Sequence, residues 1–77
     1  MVNEKNIKFV YKMISHYFEE GTQTFISVAD LWKYVQSKGK RNEKGYVTSK
    51  NKLKKALHEL EGKGKIMFSE DDYIYPM

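Results

Sequence analysis

Residues 48–75 read TSKNKLKKALHELEGKGKIMFSEDDYIY, and this stretch decides the fold. Thr48 or Ser49 offers a side-chain oxygen that can cap the free backbone N–H groups of a starting helix. From there Leu53, Ala56, Leu57 and Leu60 recur at helical spacing and form one apolar stripe, with Lys50, Asn51, Lys54, Lys55 and His58 off it. The predicted helix is amphipathic and basic. It should end near Gly62, because Glu61-Gly62-Lys63-Gly64 holds two helix-closing glycines. Two strand-like runs follow, Lys65 to Ser69 and Tyr73 to Tyr75, joined by the polar turn Glu70-Asp71-Asp72. That is a β-hairpin pattern, which Pro76 ends.

Upstream, Ile7, Val10, Tyr11, Ile14, Tyr17 and Phe18 share one helical stripe and predict a first helix with that face buried. Glu19-Glu20-Gly21 closes it, with glycine free to take a left-handed conformation. Thr22-Gln23-Thr24-Phe25-Ile26 is short, β-branched and aromatic, and reads as a small strand. A second helix starts at the cap Ser27, with Asp30 in its positive first turn and Val28, Leu31, Trp32 and Val35 on its apolar side. Gly39 stops it. Gly39 to Gly45 has three cations and no aliphatic residue, so an exposed, mobile loop is expected. The whole predicts one α+β domain over residues 1–77: three helices and a three-stranded antiparallel sheet, in the order helix-strand-helix-helix-strand-strand.

Composition supports folding. Hydrophobic residues make up 40% of the 77 and aromatics 14%, enough for a core despite 31% charged residues. The absence of cysteine excludes disulfides and thiolate metal sites and fits a reducing, cytoplasmic setting. The first residues lack the apolar core of a secretory signal, and no run approaches the roughly 20 apolar residues of a membrane span. Net charge is +4, but it is segregated along the chain. Lys33 to Lys65 carries eleven Lys or Arg against three acids, and the remainder three Lys against seven acids. Such a basic stretch serves either solubility or a polyanion, whose bound counterions it would release.

The element order resembles that of the winged-helix family, over Ile7 to Tyr75. The resemblance implies that the third helix enters the major groove of duplex DNA and that the hairpin is the wing. Carried over by position, Ser49, Lys50, Asn51, Lys54 and Lys55 become candidate contacts. Asn can read adenine, Lys can reach guanine or phosphate, and a helix start suits phosphate oxygens. Thirteen Lys against one Arg leaves little planar bidentate recognition, so phosphate-dominated binding of limited sequence specificity is expected. Two features depart from the family pattern. The wing tip is acidic, and the link from Gly39 to Val47 is longer than a tight helix-turn-helix allows. That link could still bring Lys40, Arg41 and Lys44 to a phosphate strand, with Tyr46 as a flanking ring. Gly21 to Ile26 with Leu31, Ala56 to Leu60, and Tyr73-Ile74-Tyr75-Pro76 are also similar to the small domain preceding the motor of RecD-type DNA helicases. That likeness implies an accessory domain of a larger replication or helicase assembly; the first implies a role in transcription regulation or replication.

Catalysis is not expected. His16 and His58 fit no metal or nucleophile spacing, no phosphate-binding glycine loop is present, and Glu70-Asp71-Asp72 lacks the alternating ligands of a calcium loop. No cofactor or metal is therefore assigned. Trp32, Tyr11, Tyr17 and Phe18 are expected in the core, and Tyr34 lies off the apolar stripe of the second helix. The competing reading is a protein-interaction module, using the acidic wing with Tyr73 and Tyr75; a contiguous exposed apolar patch on the wing or on the first helix would favour it. With no further helix after the hairpin, a monomer or a fragment of a larger protein is expected in preference to a stable dimer.

Overall fold

A computed structural model of the chain describes residues 4–21 and 23–76. Its elements are α1 (Glu4–Glu20), β1 (Ile26–Ser27), α2 (Val28–Lys38), α3 (Lys50–Gly62), β2 (Ile66–Phe68) and β3 (Tyr73–Pro76). The order of elements and the single three-stranded antiparallel sheet are those the sequence predicts, and within the sheet the strands lie in the order β1-β3-β2. Ile26 pairs with Ile74, and Ile74 with Phe68, so the isoleucines sit together on the inner face.

The helix starts follow the sequence reading. The Ser27 hydroxyl oxygen accepts from the Asp30 N–H at 3.2 Å, and that of Ser49 from the Lys52 N–H at 3.2 Å. Leu53, Ala56, Leu57 and Leu60 of α3 are all buried, against Val10, Ile14, Val28, Leu31 and Val35 of the other helices and Val47 of the link. Gly39 closes α2 through close packing: a Cβ there would lie 2.7 Å from the Val35 carbonyl oxygen and 3.0 Å from the Phe9 ring.

Four expectations need correction. On α1, Tyr11 is 40% exposed, whereas Phe9 and Met13 are buried. Tyr17, Phe18 and Trp32 are only partly buried at the margin of the core. The buried face is rotated toward Phe9 because the link packs there, with the Phe9 and Tyr46 ring centroids 5.5 Å apart. The small strand is shorter and later than Thr22 to Ile26: it is Ile26–Ser27, Thr22 lies outside the described residues, and Phe25 turns outward. Gly21 ends α1 without a left-handed φ, its N–H donating to the Tyr17 carbonyl at 3.2 Å.

The link between α2 and α3 is also anchored to α1. The Asn6 side-chain amide donates to the Gly45 carbonyl at 2.8 Å, and Lys12 pairs with Glu43. Gly45 has φ +86, and any Cβ there would meet the Lys5 carbonyl oxygen at 2.1 Å, so only glycine lets the chains approach this closely. Among the described residues no helix is long and apolar enough to cross a membrane.

Candidate nucleic-acid interface

Ser49 is the half-buried N-cap of α3, and its oxygen is occupied by the Lys52 N–H, which leaves the hydroxyl proton free to donate outward. Lys50, Asn51, Lys52 and Lys55 are exposed behind it, and no acid occurs in α3 before Glu59. A helix start combines free N–H groups with a positive dipole end, and here lysines add to both. Lys54 is different. Its ammonium lies 3.5 Å from the Asp72 carboxylate, so the hairpin turn already neutralises part of that side of α3. Asp72 is held there by its own backbone, with the Val28 N–H donating to its carbonyl at 2.9 Å.

The link distributes its cations over three places. Arg41 lines a depression of about 170 Å³ with Trp32, Gln36, Tyr46 and Thr48, which brings its guanidinium side chain to the start of α3. Lys40 lies instead in a groove between α1 and α2, with Lys12, His16, Lys38 and the carboxylates Glu20 and Glu43. There the Tyr34 hydroxyl donates to Glu20 at 3.4 Å; burial, and then the nearby carboxylate, hold that phenol above its ordinary pKa. Lys44 joins Lys5, Lys8 and Lys12 of α1 around the edge of Phe9, in a depression of about 220 Å³. Tyr46 is half-buried, its ring tilted at 56° to that of Phe9, and it also lines the Arg41 depression.

Of the candidates, Ser49, Lys50, Asn51 and Lys55 share the start of α3, Arg41 lines the depression that Thr48 also lines, Lys40 and Lys44 line separate grooves, and Lys54 is already paired. Sequence reasoning missed Lys52, which is exposed on the first turn of α3. It also missed the α1 lysines Lys5, Lys8 and Lys12, which a charge tally along the chain assigned to an acidic remainder. Their i, i+3, i+7 spacing was the available signal. Among the described residues no three His, Cys, Asp or Glu side chains gather as metal ligands. Comparison with protein-family models, with curated proteins and with solved structures found no match.

Proposed function

We propose that this chain is a winged-helix-type domain that binds duplex DNA without catalysis, through the start of α3 and the neighbouring part of the link. The observation that carries the reading is the acid-free first half of α3, where Lys50, Asn51, Lys52 and Lys55 are exposed, with Arg41 in a depression that reaches Thr48 just before the helix cap. Phosphate oxygens match this array: free N–H groups at a helix start, a hydroxyl donor and several ammonium groups. Asn51 is the residue with base-reading chemistry, so affinity comes mainly from the backbone and sequence preference is shallow. The hairpin is not a phosphate contact, because Glu70, Asp71 and Asp72 would face like charge. We place the domain in the cytoplasm, in DNA regulation or replication, where a cysteine-free basic protein meets its ligand.

Fluorescence anisotropy with labelled random-sequence duplexes, measured across a salt series, tests this. Four cations at the interface predict that log K falls with log salt at a slope of about −3 to −4, with unrelated sequences bound within a few-fold of each other. No binding at low salt, or binding indifferent to salt, would overturn the proposal.

A further inference from the structure

A second basic surface lies on α1. Lys5, Lys8 and Lys12 recur at i, i+3 and i+7 and so share one face of the helix, and Lys44 of the link joins them around Phe9 in a depression of about 220 Å³. Among the described residues no carboxylate lines it. Lys12 is held by Glu43, whereas Lys5, Lys8 and Lys44 are exposed and make no ion pair within the described residues. Glu4, next to Lys5 in the chain, pairs instead with Lys63 at 3.5 Å.

The fold brings these like charges together against their repulsion. The Asn6 amide donates to the Gly45 carbonyl at 2.8 Å, and Gly45, at φ +86, approaches the Lys5 carbonyl oxygen so closely that a Cβ would lie 2.1 Å from it. Lys44 is thereby fixed one residue from that contact, beside the α1 row. Water and salt weaken the repulsion among three unpaired ammonium groups, and a bound anion turns it into attraction. One ring pair separates this depression from that of Arg41: Phe9 lines the first and Tyr46 the second, with centroids 5.5 Å apart. Phe9 is 3% exposed, so its ring offers no face to an unstacked base, and the surface suits phosphate groups alone.

We propose that Lys5, Lys8 and Lys44 are a second contact with the phosphate backbone of the duplex held at α3, while Lys12 holds the link in place through Glu43. The inference rests on the DNA reading and extends its footprint from α3 past Arg41 to α1. A duplex carries one charge per roughly 1.7 Å of its axis, so one lying against α3 and Arg41 has further phosphates to offer beyond the ring pair. The α1 lysines then supply the flanking backbone contact that the acidic turn Glu70-Asp71-Asp72 cannot make.

The salt series in fluorescence anisotropy, run on one labelled random-sequence duplex, reads it. The cations at α3 and Arg41 alone give a slope of log K against log salt of about −3 to −4, and three more steepen it to about −6. Lys5→Gln with Lys8→Gln brings the slope back by about two units and weakens binding at low salt by about tenfold or more. Lys33→Gln with Lys65→Gln removes the same charge from exposed positions that line neither depression, and leaves the slope unchanged. Circular dichroism confirms that both pairs are folded. A wild-type slope no steeper than the α3 cations give, a slope that Lys5→Gln with Lys8→Gln leaves unchanged, or a loss that the control pair matches overturns this inference and leaves DNA binding through α3 standing. A wild-type chain that binds no duplex at low salt overturns both.

Discussion

The start of α3 and the strand β2 lie within the same 28 residues, yet they present surfaces of different chemistry. The first shows lysines, an asparagine and a capped helix end; the second shows methionine, tyrosine and phenylalanine with carboxylates around them. The two differ in the physics of what they can hold. Ammonium groups on a helix start attract phosphates over a distance and lose that attraction in salt. An exposed apolar patch acts only on contact, and gains from burial that salt does not screen. One helix links the two, because the stripe Leu53, Ala56, Leu57 and Leu60 fixes both α3 and the hairpin that follows it to the core.

Breaking that link should abolish both surfaces. Leu57 is fully buried, and Leu57→Ala is expected to cost about 2–5 kcal/mol, a large share of the stability of a domain this size, measurable by urea unfolding. A double change, Lys50→Glu with Lys55→Glu, should separate the surfaces: duplex affinity at low salt falls on the order of a hundredfold, while the amide NMR shifts of Ile66 to Phe68 are unaltered. Gly45→Ala reaches the basic side indirectly. With φ +86 and the Lys5 carbonyl in the way, it should destabilise the fold by about 1–3 kcal/mol and loosen Arg41 and Lys44 from their places, readable in thermal melts. The smallest effect belongs to Asp72→Asn. Asn tolerates the positive φ of 63 found there, and the exposed pair with Lys54 contributes little. Stability should change by less than about 0.5 kcal/mol, while the freed lysine raises duplex affinity by about two- to threefold in anisotropy titrations.

Residues 48–75 could be read almost element by element, because the α3 stripe, its serine cap and the hairpin turn are local signals. The face of α1 could not. Its periodicity admits either Tyr11 or Phe9 and Met13 as the buried margin, and the choice depends on the link packing against Phe9 from far along the chain. The link's exposure was legible in its polar composition, but its contacts with α1 were not, since the bond from Asn6, the pair with Lys12 and the close approach of Gly45 to Lys5 all join residues far apart in the chain. The candidate site was legible as a list of cations, though not as a surface. Only the fold separates Arg41, beside Thr48, from Lys44, beside Lys5 and Lys8, and only the hairpin's return path shows that Asp72 reaches Lys54. The aromatic patch needs β1 paired with β3 to bring Phe25 to Tyr73, a contact no local pattern specifies.

The most direct test of the central claim is an amide NMR titration with a short random-sequence duplex, at low salt and again near physiological salt. DNA binding through α3 predicts shifts at Arg41 and from Ser49 to Lys55, weakened by salt, with Ile66 to Phe68 and Tyr75 unmoved. A folded domain whose amides do not shift at low salt, or shift first along β2, would contradict it.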